Sequence, residues 1–144
     1  MKVFKYLITP LIVILFISCN INSENTEKKL INNNWLLETY IRNGADETDQ
    51  ITISKYREYY YNDGTFERSY LDIESALIEE TGSWSFKNDK KEIHVSDISS
   101  IRDFSPNNST LSSSVFHIVE LSDIQFKYSF QNGGDNHDFR FIQE

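Results

Sequence analysis

The sequence predicts an all-β domain, an antiparallel up-and-down β-barrel of about eight strands preceded by a short helix. Apolar and polar residues alternate in many short segments, which is the pattern of strands with one buried face. Turn-forming residues separate these segments at close intervals, so nearly every consecutive pair of strands reads as a hairpin. Aromatic residues make up 14% of the chain and can supply a core that needs no disulfide.

The N-terminus is typical of a bacterial lipoprotein signal peptide ending before Cys19, the single cysteine of the chain. Lys2 and Lys5 precede an apolar stretch from Leu7 to Ile17 that is too short to span a bilayer. The residues Ile17, Ser18 and Cys19 match the lipobox of such proteins, while Phe16 departs from it. We expect residues 1–18 to be removed and Cys19 to carry acyl chains such as palmitate. The alternatives are an ordinary signal peptide that leaves a free thiol, or an uncleaved anchor.

Lipidation of Cys19 predicts a protein anchored to a membrane of the cell envelope, because several acyl chains bind a bilayer stably where one does not. Asn20, rather than Asp, follows the cysteine, which favours the outer membrane, on its periplasmic or surface face. Removing Lys2 and Lys5 with the signal peptide lowers the formal net charge from −8 to −10. So acidic a chain is not expected to bind nucleic acid or to lie flat on an anionic membrane.

The mature chain begins with a polar segment and one helix. Residues 19–26 are rich in Asn, Ser, Glu and Thr and are predicted to be a flexible tether. The barrel domain is predicted at 27–144, a length that suits one domain. Thr26 to Asn32 is predicted as a short helix with Thr26 as its cap.

The first strand is predicted from Trp35 to Arg42 and the second from Gln50 to Lys55. The strongest hairpin signal follows, where Asn62-Asp63-Gly64 separates Tyr56–Tyr61 from Thr65–Leu71. A three-residue loop with Gly64 in the left-handed conformation sets a register that places two aromatic pairs and one pair of opposite charges on a single face. The pairs are Tyr60 with Phe66, Glu58 with Arg68, and Tyr56 with Tyr70.

The rest of the chain predicts further hairpins. Asp72 to Glu80 is predicted as a loop with at most one helical turn, because Ile73 and Leu77 have helical spacing. A long polar loop is predicted at 102–114, and Ile124 is predicted to face inward with the alternating residues after it. The further strands are predicted at 82–87, 92–96, 115–121, 124–130 and 137–143.

Several motifs in this order resemble the lipocalin-like domains of small bacterial lipoproteins of the Bacteroidetes type. They are a lipobox cysteine with a tether and helix, a first strand opening Asn34-Trp35-Leu36-Leu37, the aromatic hairpin Tyr60-Tyr61-Asn62-Asp63-Gly64-Thr65-Phe66, the segment Gly82-Ser83-Trp84-Ser85-Phe86, and Leu121 to Phe126. The chain departs from the family at Asn34, where Gly is usual, and in its long loop after Arg102. The resemblance implies an eight-stranded calycin-type barrel and names no ligand.

The paired face of the central hairpin is the candidate ligand site. Facing inward, it would give aromatic walls with a few fixed polar groups, which is how ligand sites are built. Two structural interpretations stay open: the face points outward, with Glu58 and Arg68 an exposed pair of small value, or the aromatics fill the interior. The candidate lining residues are Tyr56, Glu58, Tyr60, Phe66, Arg68, Tyr70, Phe126 and Tyr128.

No catalytic, metal or cofactor motif stands out. His94 and His117 have no His, Cys or carboxylate at metal-ligand spacing. His137 is next to Asp138, but neighbouring side chains of a strand point to opposite faces and cannot bind one ion together. No nucleophile elbow and no glycine-rich phosphate loop is present in the sequence. We therefore expect a non-enzymatic lipoprotein that binds a small apolar or amphipathic ligand. The alternative is an envelope module that docks or inhibits a partner protein.

Replacing Cys19 with Ala tests the predicted anchor. The variant cannot be acylated, so we expect it to leave the membrane fraction or to persist as the unprocessed precursor. Fractionation and the mass of the mature N-terminus measure both outcomes. A variant that is processed and stays membrane-bound would show that the lipoprotein prediction is wrong.

Overall fold

The computed structural model of the chain describes residues 23–31, 33–98 and 115–144. Within these ranges it contains one α-helix, α1 (Ser23–Ile31), a 3₁₀ turn (Thr48–Gln50) and nine strands in one antiparallel sheet. The strands are β1 (Asn34–Arg42), β2 (Ala45–Asp46), β3 (Ser54–Tyr60), β4 (Thr65–Leu71), β5 (Leu77–Lys87), β6 (Glu92–Ser96), β7 (Val115–Leu121), β8 (Gln125–Asn132) and β9 (Asp135–Gln143).

The strands close into a barrel in the order in which they follow one another along the chain. Each neighbouring pair is antiparallel, and β1 pairs with both β3 and β9, which closes the wall. The two residues of β2 extend a hairpin at the end of β1, so eight strands form the wall. The predicted up-and-down barrel is confirmed.

Several predictions concern residues outside the described ranges. They are the signal peptide at 1–18, the lipidation of Cys19, the first part of the tether at 20–22, and the polar loop at 102–114. Within the described ranges, no helix has the length and apolar character needed to cross a bilayer.

Helix α1 begins at Ser23, three residues before the predicted start, so residues 23–26 are helical and the prediction of a tether there is wrong. The helix is held by its C-terminal end rather than by a cap at Thr26. Leu30 is fully buried, and its carbonyl accepts a hydrogen bond of 3.1 Å from the indole Nε1 of Trp35. Lys28 and Lys29 in the last turn interact favourably with the negative end of the helix dipole.

The barrel has two distinct ends. At the helix end, α1 lies against β3 and β7, and Glu27 forms an ion pair of 2.9 Å with Lys90 in the β5–β6 turn. The loop end, at the opposite ends of the same strands, is formed by the connections 43–53 and 72–76 and the turn at 133–134.

The central hairpin has the predicted loop and most of the predicted register. Gly64 has a φ of +86°, Tyr61 N donates to Thr65 O at 2.9 Å, and Glu58 stands opposite Arg68. Tyr56 is not opposite Tyr70 in register, because the pairing shifts between Ser54 and Arg57. The Tyr56 and Tyr70 rings still stack, with centroids 6.2 Å apart.

The predicted loop at 72–80 is wrong in its second half, since β5 already begins at Leu77. The predicted helical turn is replaced by a side-chain turn, in which Asp72 Oδ1 accepts from the backbone N–H groups of Glu74 and Ala76 at 2.9 Å. Such local bonds compete with helix formation. Ile73 is consequently exposed rather than part of an apolar helical face.

Two further boundaries differ from the prediction. The strand predicted at Gln50 to Lys55 begins only at Ser54, because Tyr40 N donates to Thr48 Oγ1 at 2.9 Å and the chain turns before it can pair. Ile124, predicted to face inward, is 71% exposed in the β7–β8 turn, where Ser122 Oγ accepts from Gln125 N at 3.0 Å.

Gly82 of β5 is a site where only glycine fits. A Cβ at this position would lie 2.3 Å from the backbone oxygen of Ser96 and 2.5 Å from Cγ2 of Ile98. The end of β6 thus packs directly on the backbone of β5, and Ile98 packs on the core beside it.

Gly82→Ala should destabilise the domain by about 1–3 kcal/mol, the usual range for forcing an added carbon into a packed site. Urea unfolding followed by tryptophan fluorescence measures the change. Ser83→Ala is the matched control, since Ser83 is exposed on the same strand and should unfold like the parent. Equal stabilities for both variants would mean that the close approach at Gly82 is not maintained in solution.

Candidate functional site

The predicted site face points into the barrel. Tyr56, Glu58 and Tyr60 alternate on the inner side of β3, between half-buried or exposed neighbours. Phe66, Arg68 and Tyr70 on β4 and Phe126 and Tyr128 on β8 join them, and each of the eight candidate lining residues is less than 10% exposed. The interpretation of Glu58 and Arg68 as an exposed surface pair is therefore wrong. The assignment of these residues to a ligand stays a prediction.

Glu58 is the centre of this cluster. Its carboxylate accepts hydrogen bonds from three tyrosine hydroxyls: Tyr56 and Tyr128 donate to Oε1, each at 2.8 Å, and Tyr60 donates to Oε2 at 2.7 Å. Tyr56 and Tyr60 belong to the same strand as Glu58, whereas Tyr128 reaches across the barrel from β8. One buried side chain thus ties two separated parts of the wall together.

Burial raises the pKa of Glu58 above its usual value, while hydrogen bonds from the three tyrosines and the positive charge of Arg68 oppose that rise. The pKa values of the three tyrosine hydroxyls are shifted as well. Burial and the nearby Glu58 carboxylate raise the pKa of Tyr56, Tyr60 and Tyr128 well above the usual value. They stay neutral and act as donors, which is what a buried carboxylate requires.

Arg68 is the second buried charge. Its guanidinium is fully buried and donates from Nε and Nη2 to one carboxylate oxygen of Glu80, the residue opposite it on β5. Burial alone would lower the pKa of Arg68, but Tyr56 and Glu80 raise it above its usual value. The Glu80 side chain is 17% exposed, so this ion pair connects the interior to solvent.

Glu80 was not predicted from the sequence as a partner of Arg68. The signal was present, because Arg68 and Glu80 are opposite in a simple β4–β5 hairpin. Predicting a loop over 72–80 concealed it.

Aromatic rings fill the interior around Glu58 and towards the helix end. The Tyr128 ring lies 4.5 Å from Phe116 and 5.2 Å from Phe139, and the Phe126 ring lies 5.4 Å from Trp35, measured between centroids. These are contact distances for packed rings. Rings also pack at the loop end, where the Phe130 ring lies 4.9 Å from His137 and 5.6 Å from Phe116, so the interpretation of the aromatics as core filling describes both ends of the barrel.

Solvent reaches the inner wall at the loop end. Ile53 and Tyr70 are each 9% exposed, Ile78 is half-buried, and Glu80 is 17% exposed. These residues come from the loop-end halves of β3–β5 and the connection before β3, next to the buried Glu58 and Arg68. The partly exposed inner wall of β3–β5, next to the Glu58 cluster, is therefore the candidate site.

The histidines have different environments. His137, predicted without a role, is buried and shares a hydrogen bond of 2.8 Å between Nδ1 and the Tyr40 hydroxyl. Burial lowers the pKa of His137 and raises that of Tyr40 to about 12. His94 and His117 flank Glu92 on the outer wall at 3.4 and 3.3 Å. In the described part of the chain, no group of three His, Cys, Asp or Glu side chains is arranged to hold a metal ion.

A separate cleft of about 550 Å³ lies on the outer wall of β7–β9. It is open to solvent and mostly polar, unlike a site for an apolar molecule. Its outward-facing residues are Val115, His117, Ser129, Gln131, Asn136 and Asp138.

Tyr128→Phe tests the role of the Glu58 cluster. Removing one donor to a buried carboxylate should destabilise the domain by about 1–3 kcal/mol near neutral pH, measured by urea unfolding. The pKa of Glu58 is raised in the folded state. The folded state therefore loses stability as the pH rises through that pKa and the carboxyl group ionises. Without the Tyr128 donor the ionised carboxylate is less well stabilised, so this loss of stability becomes larger. The difference from the parent should therefore shrink as the pH falls through that pKa and Glu58 becomes protonated.

Tyr59→Phe is the control for this prediction, because Tyr59 is a half-exposed residue on the outer side of the same strand. It should change stability little at any pH. Identical behaviour of the two variants would contradict the assigned role of Tyr128.

Comparison with known proteins is informative at the level of fold. No protein-family model matches the sequence, and no curated protein matches it. Among solved structures, a lipocalin-like protein from Bacteroides uniformis ATCC 8492 is 19% identical with a TM-score of 0.54, over 78% of this chain and 97% of that one. Japanin from Rhipicephalus appendiculatus, solved bound to cholesterol, is 10% identical with a TM-score of 0.53, over 80% and 77% of the two chains. The chain therefore has the lipocalin-like fold that its sequence predicts.

Proposed function

We propose that this protein is a non-catalytic, ligand-binding lipocalin-like barrel that holds a small amphipathic molecule at its loop end. The observation that carries the proposal is the group of charged side chains set into an aromatic interior: Glu58, Arg68 and Glu80. Of the three, Glu80 is the one that solvent reaches, with 17% of its side chain exposed.

Charged side chains are a costly way to fill the interior of a barrel. Burying an ion pair is often no better than burying apolar residues of the same size, and breaking such a pair leaves a costly buried charge. The buried inward positions of β8 and β9 hold five Phe or Tyr rings and His137, and no Asp, Glu, Lys or Arg. Polar groups kept in an apolar interior against this cost are typical of functional sites.

The likeness to solved lipocalin-like structures supports the type of ligand. Japanin was solved with cholesterol, a largely apolar molecule with one hydroxyl group. A comparable ligand here would place its apolar body against Ile53, Tyr70 and Ile78 and its polar end near Glu80. Such pockets combine apolar walls with few polar groups.

The non-catalytic part of the proposal rests on how the acidic groups are engaged. Three hydroxyl donors surround Glu58, which favours a structural carboxylate over a base that must take a proton from a substrate. Glu80 is engaged by Arg68. Neither has the partner arrangement of an activated nucleophile.

The cellular localisation of the protein is part of the same proposal. We infer that acyl chains on Cys19 anchor the barrel to an envelope membrane, with the outer membrane favoured. What supports this is the sequence from Lys2 to Asn20.

A second function is favoured by one observation. Ile73 is 80% exposed and Leu77 is 60% exposed at the loop end. Exposed apolar side chains close together are typical of sites for protein partners. The alternative is therefore an envelope module that docks a partner protein through this rim.

Native mass spectrometry of the mature protein purified from its own host distinguishes the two functions. A co-purified small molecule would support ligand binding, and a co-purified protein that is lost in an Ile73→Ser variant would support docking. Ile124→Ser is the control, since Ile124 is as exposed but lies at the helix end. If no small molecule is retained and an environment-sensitive apolar dye does not bind saturably, the ligand-binding proposal is wrong.

A further inference from the structure

We propose that the loop-end site selects cationic amphiphiles: molecules that join a protonated amine or a quaternary ammonium group to a small apolar body. This inference rests on the proposed function and adds the charge of the ligand to it. Three independent features point to a positive charge: the balance of buried charges, the aromatic wall beside the accessible carboxylate, and the composition of the rim.

The buried charges at this site sum to one negative charge. Glu58 and Glu80 contribute two carboxylates, and Arg68, which stands opposite both of them in the sheet, contributes one guanidinium. A ligand cation near Glu80 would neutralise the group as a whole. A ligand anion would meet an Arg68 already flanked by two carboxylates, so its attraction to the guanidinium would be offset by two repulsions.

The accessible carboxylate lies beside aromatic faces. Tyr70 is opposite Ile78 on β5, two residues from Glu80 on the inner side of the wall. The stacked rings of Tyr56 and Tyr70 form the neighbouring surface. A carboxylate next to tyrosine faces suits an alkylammonium group, because the ring faces attract cations and the apolar part of the ligand packs on the same rings.

The rim at the loop end is acidic. In the described part of this end, the connections 43–53 and 72–76 contain five carboxylates and no Lys or Arg, and Asp135, the first residue of β9, makes six. Arg42 at the end of β1 pairs with two of them, at 3.8 Å and 3.3 Å. The six are Asp46, Glu47, Asp49, Asp72, Glu74 and Asp135.

This rim affects which molecules reach the site. Like charges beside an opening concentrate ions of opposite sign and lower the approach rate of ions of the same sign. Fatty acids and other anionic amphiphiles are therefore disfavoured at the entrance as well as inside. Amines are favoured at both places.

A matched set of ligands tests the inference. Octylamine, octanol and octanoate share one apolar chain and differ only in charge. Each is titrated calorimetrically into the mature protein in nanodiscs of neutral phosphatidylcholine, with empty nanodiscs subtracted as background. Ionic strength is held near 0.15 M so that the distant surface charges are largely screened. We expect saturable binding of one octylamine per barrel, about tenfold tighter than octanol, and weaker binding of octanoate.

Variants locate the preference within the barrel. Glu80→Gln should bring the affinities for octylamine and octanol to within about twofold of each other, since the accessible charge is removed. Glu79→Gln changes total charge equally, but Glu79 is exposed on the outer side of the same strand, so the preference should remain. If Glu80→Gln does not fold, as judged by circular dichroism, the comparison of the three ligands on the parent protein decides alone.

The outcomes separate the two proposals. Octanol binding as tightly as octylamine, or octanoate binding tightest, would overturn the charge selection and leave the ligand-binding function standing. Absence of saturable binding for all three, together with no molecule retained in native mass spectrometry, would overturn both. A preference for octylamine that Glu79→Gln also abolishes would place the effect on the outer surface and overturn the assignment to Glu80.

Discussion

The hydrogen bonds between Glu58 and three tyrosine hydroxyls are the interaction on which the arrangement of the barrel interior depends. A carboxylate in an aromatic interior is tolerated only if its oxygens are satisfied, and here the donors come from the same strand and from across the barrel. The hydroxyl of Tyr128 fixes the distance between β3 and β8 at this level. The neighbouring rings then pack around a centre whose position is set by hydrogen bonds as well as by shape.

Around that centre, aromatic rings pack at both ends of the barrel. Towards α1, the tryptophan Nε1 atoms of Trp35 and Trp84 also bond to backbone oxygens at 3.1 and 2.9 Å. Towards the loops, the Phe130 ring packs on His137. The charged side chains lie on β3, β4 and β5, and solvent reaches them at Glu80. The packed aromatic interior can hold this costly group in place, as a rigid scaffold holds a functional site.

The sequence predicted the fold well because an up-and-down barrel is built from local hairpins, and hairpin signals are local. Asn62-Asp63-Gly64 determined a register that placed Glu58 opposite Arg68, and the structure confirms it. The site was predicted less completely. Whether the face with Glu58 and Arg68 points inward depends on how the whole sheet closes, and a short stretch of sequence does not predict that. Glu80 was missed because an inward glutamate breaks the apolar alternation by which strands are recognised. His137 was missed since its partner, Tyr40, is 97 residues away.

The early start of α1 has a geometric consequence for the orientation of the protein. Three residues separate Cys19 from Ser23, the first residue of the helix, and four extended residue steps span about 14 Å at most. A lipid on Cys19 would therefore hold the helix end close to the headgroups. The acidic loop end would face away from the bilayer, into the aqueous space. A molecule from the membrane would first have to dissolve in the aqueous space before it could enter the barrel. The protein would therefore bind dissolved ligand and would not extract ligand directly from the bilayer.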